Sequence, residues 1–254
     1  MFIQNIDPVL FKIGFLEIRY YGLVYLLGFL LIIFILNKNK KELNLDFDDI
    51  YNLNFYFFIG MIIGARFFHF LFSEPYIFIY DTLEIFKIWN GGMSFFGGFL
   101  GVLISGLIYC NKYKKDFYKI SDYLVFPATI SLILGRLANF ANHELVGTVT
   151  DLNWCVVFKF YDGCRHPYQL YAAFSHFILL ITLFKVRFIK NKYKLKGGIV
   201  FISFVFFYSI FRIISDFFRE EPRLFGITIW QLISFIFFII SFIWFIKYKR
   251  KSIQ

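Results

Sequence analysis

The sequence predicts an all-α integral membrane protein with seven transmembrane helices, and the prediction rests on composition, hydropathy and charge. Of the 254 residues, 59% are hydrophobic and 24% are aromatic, including 40 Phe. A water-soluble domain cannot bury that much apolar surface. Seven stretches approach the roughly 20 apolar residues that cross a bilayer. Lysines are concentrated in alternate connections between these stretches, which is typical of multispan proteins.

The predicted spans follow one another as a single membrane domain covering residues 1–254. In chain order they lie near residues 20–36, 50–72, 94–110, 121–141, 168–188, 199–218 and 227–246. Few charges interrupt their cores, mainly Arg66, Arg136, Arg212 and Asp216. An ionisable group at membrane depth costs about 3 kcal/mol on insertion scales, so these four residues are functional candidates.

The connections between the spans predict the orientation in the membrane. One set of connections carries fifteen basic residues and the alternate set carries seven. The richer set comprises Lys38, Lys40, Lys41, Lys112, Lys114, Lys115, Lys119, Lys190, Lys192, Lys194, Lys196, Lys247, Lys249, Arg250 and Lys251. Because basic loops stay cytoplasmic, the N-terminus is expected outside and the C-terminus inside. Anionic lipid headgroups therefore account for the net charge of +10, and no nucleic-acid partner is predicted.

The sequence supports a specific prediction for three of the segments outside the spans. Residues 1–19 lack the basic start and continuous apolar core of a cleavable signal peptide, so we expect an arm at the outer membrane interface. Residues 142–167 form the outer loop. Residues 247–254 form a basic cytoplasmic tail.

The three cysteines do not predict a metal site. Cys110, Cys155 and Cys164 contain no CxxC pair. Cys155 and Cys164 share the predicted outer loop, where they form either a disulfide or two free thiols. The sequence leaves this choice open.

The most informative segment is GRLANFANHELVG at residues 135–147, which begins in an apolar run and ends in polar residues. Arg136 and Asn139 are three residues apart and share a helical face. A guanidinium is a planar donor fork suited to phosphate, although Arg136 alone is also explained by snorkelling to the headgroups. The helix is expected to end near the outer interface at residues 142–144.

A second candidate segment is WNGGMSFFGGFLG at residues 89–101, where two glycine pairs flank a serine. Free backbone N–H groups near Ser94, Gly97 and Gly98 can bind a phosphate oxygen, so these residues are candidate substrate ligands. Close helix packing by Gly97, Gly98 and Gly101 is the alternative, with equal weight.

A third candidate segment lies at residues 211–222. Arg212, Asp216 and Arg219 fall at positions i, i+4 and i+7 of one helical stripe. The structural alternative is an Arg–Asp pair that neutralises itself in the membrane. Such a pair can still serve a site, because a carboxylate orients an arginine that meets a substrate.

Three further features lie at the same predicted face. The first is the aromatic start of span 1 at Tyr21, which also suits an interfacial belt. The second is RHPYQLY at residues 165–171, where Pro167 suits a helix start. The third is Arg66, a possible third arginine, with His69 one turn on. Arginines on different helices at the depth of the outer leaflet indicate an anionic lipid headgroup as ligand.

At these residues the chain resembles the prolipoprotein diacylglyceryl transferase family nearly end to end. The resemblance is carried by YGLVY at 21–25, GGMSF at 91–95, GRLANFANHELVG at 135–147, RHPYQLY at 165–171 and FRIISDFFR at 211–219. It implies a multi-pass enzyme of the bacterial inner membrane that needs no metal or organic cofactor. We expect a monomer, and the sequence leaves the oligomeric state open. Its substrates would be phosphatidylglycerol and the lipobox peptides of preprolipoproteins.

The resemblance also implies roles for individual residues. The enzyme would move the diacylglyceryl group of phosphatidylglycerol to the lipobox cysteine and release glycerol phosphate, the first step of lipoprotein maturation. By position, Arg136 would bind the lipid phosphate and Arg212 would be the second essential arginine. Tyr21, Asn139, Glu144 and Gly147 match family positions tied to activity.

The chain departs from the family pattern at four positions. The family usually has a histidine, its proposed base, where this chain has Phe96, and usually a glutamate where this chain has Asp216. His143 replaces the usual glycine before the motif glutamate, and Ala172 replaces an acidic residue. We therefore expect His143 or Asp216 to accept the thiol proton, or the arginines to supply most of the catalysis. Reduced or lost activity under mutational drift is a further interpretation.

Two other functional classes stay open at the level of sequence. A non-catalytic protein that binds anionic lipids would keep the arginines and tolerate Phe96. A multispan transporter for an anionic solute would need broken helices and a polar path to the inner face. The sequence indicates neither of those two features.

Overall fold

The computed structural model describes residues 2–14, 16–87 and 91–252, and it places a helix at each of the seven predicted apolar stretches. The long helices are α1 (Tyr20–Lys38), α3 (Phe47–Ser73), α5 (Phe95–Lys112), α6 (Phe117–Ala141), α7 (Tyr168–Lys192), α8 (Ile199–Ser215) and α9 (Ile229–Ser252). Shorter helices are α2 (Lys40–Leu43), α4 (Ile77–Tyr80) and the 3₁₀ turns Thr82–Phe86 and Asp216–Phe218. Trp89 and Asn90 of the predicted glycine-rich segment, and residues 253–254 of the predicted tail, lie outside the described residues.

Six of these helices are long and apolar enough to cross a membrane. They are Tyr20–Lys38, Phe47–Phe72, Phe117–Ala141, Tyr168–Lys192, Ile199–Phe218 and Ile229–Tyr248. The remaining predicted span is a shorter apolar helix, Phe96–Lys112. The structure therefore confirms a helical, multi-pass membrane protein.

Short strands occur in the first 19 residues and in the loop between α6 and α7. In the first 19 residues, β2 (Val9–Ile13) and β3 (Leu16–Arg19) form an antiparallel hairpin that leads directly into α1. The remaining strands, β1 (Phe2–Ile3), β4 (Val156–Val157) and β5 (Cys164–Arg165), form a small sheet in the order β1–β4–β5. A disulfide joins Cys155 to Cys164 across the β4–β5 pair, with the two Cα atoms 5.4 Å apart. The sequence had left that pairing open.

The chain divides into two compact units. The first unit comprises residues 1–31 and 121–254, and the second comprises residues 32–120. The single membrane domain that the sequence predicts stays a prediction. Each unit is described by itself below.

Close contact between α3 and α5 organises the second unit. A Cβ on Gly101 would lie 1.9 Å from the carbonyl oxygen of Gly60, and one on Gly97 would lie 2.3 Å from that of Gly64. Real Cβ atoms do not tolerate such distances, so these glycines let the two helix backbones touch. Small residues have this function in membrane helix pairs, where apolar burial alone supplies little attraction.

A buried carboxylate joins three helices at one end of the first unit. Asp122 of α6 is fully buried and accepts hydrogen bonds from Nζ of Lys190 on α7 at 2.9 Å. It also accepts from the backbone N–H groups of Gly198 and Phe201 at the start of α8, both at 2.8 Å. These bonds satisfy orphan donors at a helix start and balance the buried charge.

Candidate functional site

The other end of the first unit, where α6 and α8 end and α1 and α7 begin, gathers most of the predicted site residues. We call this end the polar end. Helix α6 stops after Ala141, and the chain turns back so that the N–H of Glu144 donates to the carbonyl of Asn139 at 3.0 Å. The turn requires a positive φ, and His143 has a φ of +57°. Left-handed backbone favours glycine, which explains why the resembled family usually has glycine there.

Asn139 is the hydrogen-bonding centre of the predicted motif. Its side chain is buried and accepts from Arg136 at 3.4 Å. Its amide nitrogen donates to the Tyr21 hydroxyl and, at 3.2 Å, to Oε2 of Glu144. The structure therefore brings together four of the predicted residues: Arg136, Asn139, Tyr21 and Glu144.

The backbone of Glu144 is held from α7. Nε2 of Gln169, a fully buried residue, donates to the carbonyl oxygen of Glu144 at 2.6 Å. The other carboxylate oxygen of Glu144 accepts from Asn142 at 3.4 Å. Glu144 is thus fixed on both sides, and it orients Asn139 and through it Arg136.

A second cluster is centred on Tyr168, the first residue of α7. Its hydroxyl accepts from Arg212 at 2.6 Å and donates to Asp216 at 3.0 Å. The Arg212 and Asp216 side chains also form a direct ion pair at 3.4 Å. The predicted Arg–Asp pair therefore exists, and a buried phenol bridges it.

Two more guanidinium groups flank the ring of Tyr168. The Cζ atoms of Arg136 and Arg219 lie 5.9 Å and 5.7 Å from the ring centroid. Both distances fall within the range of cation–π attraction. Three arginines from α6, α8 and the chain after α8 thus converge on one buried tyrosine.

Few carboxylates balance these cations. Asp216 is fully buried and its Oδ2 accepts from the Thr228 hydroxyl at 3.4 Å. Glu221 pairs with Arg219. Arg136, by contrast, has only the amide oxygen of Asn139 as a hydrogen-bond acceptor among the described residues. The arrangement leaves positive charge available for an anion.

Gly147 lies in a crowded backbone crossing beside the two clusters. Its N–H donates to the His166 carbonyl at 3.1 Å, and its carbonyl accepts from Arg165 at 3.2 Å. It also forms an isolated β-bridge with Arg219. A Cβ on Gly147 would lie 2.4 Å from the His166 carbonyl oxygen, so this backbone crossing requires glycine. The β-bridge ties the loop to an arginine of the Tyr168 cluster.

His143 has a largely apolar environment. Its buried ring packs edge-on against Phe158 and Phe160, with centroids 6.2 Å and 5.8 Å away. Its Nδ1 atom is buried and has no hydrogen-bond partner among the described residues. The structure gives this candidate base no direct contact with the arginine clusters in the described part of the chain.

Arg66 of the second unit is occupied by backbone carbonyl groups. Its guanidinium donates to Ile85 at 3.0 Å, Glu84 at 2.5 Å, Lys87 at 3.1 Å and Gly92 at 3.3 Å, and also to Gly91. These contacts indicate that Arg66 fastens the segment between α4 and α5. They leave it less free than Arg136 to bind a phosphate.

The glycine-rich segment of the second unit also has structural contacts. The Ser94 hydroxyl caps α5 by accepting from the N–H of Gly97 at 3.3 Å. Gly97 is the packing glycine described above, whereas a Cβ on Gly98 would meet Met61 at an ordinary 3.4 Å. The packing alternative for Gly97 is therefore present in the structure. Among the described residues, no group of His, Cys, Asp and Glu is placed to hold a metal ion.

An apolar pocket of about 330 Å³ adjoins the polar end between α7 and α8. Trp154 of the loop, Tyr171 of α7 and Phe211, Ile214 and Phe218 of the α8 segment line it. Phe211 directly precedes Arg212 in the chain. An apolar surface therefore lies beside the charged cluster, as an amphiphilic substrate requires.

Sequence reasoning missed Tyr168, Gln169 and Arg219 as site residues. All three lie inside segments that it had singled out, at residues 165–171 and 211–222. Tyr168 directly follows Pro167 at a helix start, and Arg219 completes the stripe of Arg212 and Asp216. These positions were the signals that the sequence offered for the three residues. Only the fold shows that their side chains contact or lie close to the predicted site residues.

Comparison with known proteins gives consistent results over nearly the whole chain. The family profile described as prolipoprotein diacylglyceryl transferase matches residues 8–247. A protein of Geobacter sulfurreducens named phosphatidylglycerol–prolipoprotein diacylglyceryl transferase is 36% identical over 258 residues, covering 98% of each chain. Proteins of the same name from Ehrlichia ruminantium (strain Gardel) and Photobacterium profundum are also each 36% identical. They cover 94% and 98% of this chain, and 95% and 96% of their own lengths.

Proposed function

This chain belongs to the prolipoprotein diacylglyceryl transferase family, and from that premise we propose that it lipidates preprolipoproteins. It transfers the diacylglyceryl group of phosphatidylglycerol to the thiol of a lipobox cysteine and releases glycerol phosphate. The observation that carries the proposal is the convergence of Arg136 and Arg212 on Tyr168 at the polar end. Two guanidinium groups from different helices can bind one phosphate group through several hydrogen bonds.

The membrane arrangement is part of the proposal. Helix α5 crosses the bilayer as a seventh span, the N-terminus lies outside and the polar end faces the outer half of a bacterial inner membrane. The distribution of lysines supports this orientation. The Cys155–Cys164 disulfide in the loop at the polar end also supports it, because disulfides persist outside the cytoplasm.

The chemistry follows from the charges. The thiolate sulfur attacks the glycerol carbon, a C–S bond forms, and the C–O bond to phosphate breaks. Negative charge gathers on the departing glycerol phosphate, where Arg136 and Arg212 stabilise it. Preorganised cations in a dry site are effective because they need not reorganise during the reaction. Asn139, Tyr21 and Glu144 hold Arg136 in place, and Asp216 holds Arg212.

The thiol proton needs an acceptor, since Phe96 cannot take it. We propose that the arginines promote the loss of this proton without accepting it, because nearby cations lower the pKa of a thiol and favour the thiolate. The proton then leaves to water at the interface. Asp216 is committed to Tyr168, Arg212 and Thr228, and His143 is packed against phenylalanines, so neither is the first choice as base.

The test is a transfer assay with purified protein in vesicles that contain phosphatidylglycerol with labelled acyl chains. A synthetic lipobox peptide should gain the label, and the same peptide with serine in place of cysteine should not. Arg136→Ala and Arg212→Ala should each lose at least about a hundredfold in rate, as for other charge-stabilising groups. Arg187→Ala is the matched control, since Arg187 lies on the ring of Tyr123 towards the opposite end of α7.

Two outcomes would contradict the proposal. Lipid binding without any labelled peptide, from protein confirmed as folded, would indicate a non-catalytic lipid-binding protein. If His143→Asn lost transfer activity and the loss depended on pH, His143 would be identified as the base. Asn is the suitable replacement because it tolerates the positive φ of this position better than alanine.

A further inference from the structure

We propose that Tyr168 is a positioning residue that sets the placement of Arg212 for the transfer reaction. The proposal rests on the proposed function and adds a residue to it. Tyr168 is fully buried, so it acts through the arginines around it and does not itself touch the substrate.

The first argument is the bridge that the Tyr168 hydroxyl makes. It accepts from Nη1 of Arg212 at 2.6 Å and donates to Oδ1 of Asp216 at 3.0 Å. The direct contact between Nε of Arg212 and Asp216 is longer, at 3.4 Å. The phenol therefore supplies the shorter link, and it fixes a second nitrogen of the guanidinium. One contact leaves a guanidinium free to rotate, whereas two contacts define its plane.

The second argument is the position of the ring. Arg136 and Arg219 lie within cation–π range of its centroid. Guanidinium groups gathered around one point repel one another, and burial strengthens that repulsion. An aromatic ring attracts cations and occupies the centre of the group, so it holds the arginines together at a defined separation.

The third argument is the anchoring of Tyr168 itself. It begins α7 directly after Pro167, and its N–H donates to the His166 carbonyl at 2.8 Å. The same carbonyl accepts from the N–H of Gly147 at 3.1 Å. Tyr168, which the three arginines surround, is thus linked through the His166 carbonyl to Gly147 of the loop motif. The Tyr168 cluster and the Asn139 motif are therefore joined through the backbone.

The test is Tyr168→Phe, which keeps the ring and removes the hydroxyl. Arg136 keeps its ring contact, so the KM for phosphatidylglycerol should change less than about threefold. Arg212 loses its shortest contact, so kcat should fall by about tenfold or more, which is the effect of one lost hydrogen bond to a charged group. Tyr168→Leu also removes the ring, and it should raise KM in addition.

A double-mutant cycle with Asp216→Asn separates positioning from general structure. If both residues act by orienting Arg212, the combined loss in kcat should be clearly smaller than the product of the single losses. Tyr123→Phe is the matched control, because Tyr123 is also buried and lies under an arginine of the same unit. It should leave kcat and KM unchanged.

The outcomes are distinguishable from those of the proposed function. A wild-type protein that transfers no diacylglyceryl group would contradict the function. Active wild type with an unchanged Tyr168→Phe would overturn only the inference. Multiplicative losses in the cycle, or equal losses in Tyr168→Phe and Tyr123→Phe, would likewise overturn it.

Discussion

The backbone of Gly147 lies so close to that of His166 that no side chain fits between them. A Cβ on Gly147 would stand 2.4 Å from the His166 carbonyl oxygen and 2.7 Å from that of Phe218. Both neighbours are hydrogen-bonded backbone groups, so they have little freedom to move. We predict that Gly147→Ala loses about 1–3 kcal/mol of stability and most of the transfer activity, because the β-bridge to Arg219 would separate.

The measurement is the thermal midpoint in detergent together with the transfer rate. Gly135→Ala is the control, since nothing lies within 4 Å of a Cβ built there and alanine favours a helix. Equal stability and activity of the two variants would contradict the steric explanation.

The helices and much of this end of the molecule were predictable from the sequence. Length and hydropathy predicted the positions of the seven helices, and six of them are long and apolar enough to cross a membrane. The face shared by Arg136 and Asn139 followed from helical periodicity. The short strands near residues 2–19 and 156–165 were not predicted, because two- to five-residue strands pair through the backbone and leave little periodic signal.

Asn139→Ala should weaken the binding of phosphatidylglycerol. The substitution removes the acceptor of Arg136 and the link to Tyr21 and Glu144. A lost hydrogen bond to a charged group is worth about 1.5–3 kcal/mol, so KM should rise about ten- to a hundredfold. KM is obtained by varying phosphatidylglycerol in mixed micelles at fixed peptide.

Asn142→Ala is the control for that experiment. Asn142 is three residues further on and makes a 3.4 Å bond to the other oxygen of Glu144. Its loss should change KM less than about threefold. If Asn142→Ala matched Asn139→Ala, the motif would act through general loop structure and not through Arg136.

Arg66→Lys should destabilise the second unit while the chemical step is retained. The guanidinium contacts several carbonyl oxygens between Glu84 and Gly92, and a single ammonium cannot reach them all. Each lost bond to a charged donor is worth about 1.5–3 kcal/mol, so the thermal midpoint should fall clearly. At a temperature where the variant stays folded, kcat should remain near the wild-type value.

A direct phosphate role for Arg66 would give the opposite pattern. KM for phosphatidylglycerol would then rise with little change in the thermal midpoint. The comparison decides between the predicted substrate contact and the loop-fastening role that its hydrogen bonds indicate.

The proposed role of Tyr168 could not be predicted from the sequence, for a physical reason. A tyrosine after a proline at a helix start is ordinary, and interfacial aromatics are common in membrane proteins. Its importance comes from residues far away in the chain, Arg136, Arg212 and Asp216, which only the packing of α6, α7 and α8 brings together. Arg66 shows the converse. Its charge at membrane depth predicted a bound ligand, whereas the structure shows its guanidinium donating to backbone carbonyl groups of the same unit.

Stability should decrease in mild acid because of His166. Burial lowers the pKa of this histidine below its ordinary value of 6.5, so the folded protein favours the neutral ring. Below that value the unfolded chain binds more protons than the folded one, and stability therefore falls as the pH falls. The thermal midpoint should drop as the pH is lowered through 6.5, and it should drop less in His166→Gln. Parallel curves for the two proteins would exclude His166 as the source.

The Cys155–Cys164 disulfide should form in the membrane-inserted protein and stabilise the loop at the polar end. Unreduced, denatured protein should take up one alkyl group, at Cys110, and reduced protein should take up three. Since the cysteines are nine positions apart, the chain-entropy model gives a stabilisation of about 2–3 kcal/mol. Arg165 follows Cys164 and donates to the Gly147 carbonyl, so loosening this strand should also slow transfer.

The double variant Cys155→Ser with Cys164→Ser tests this directly against Cys110→Ala. The double variant should unfold at a lower temperature and transfer more slowly. Cys110 is a free, buried cysteine of α5 in the second unit, so its replacement should leave the transfer rate unchanged. Because disulfides form outside the cytoplasm, single alkylation in protein isolated from bacterial membranes also supports an outer position of residues 142–167. Alkylation of all three cysteines without reductant would contradict the disulfide. It would also remove the support that the disulfide gives to an outer position of residues 142–167.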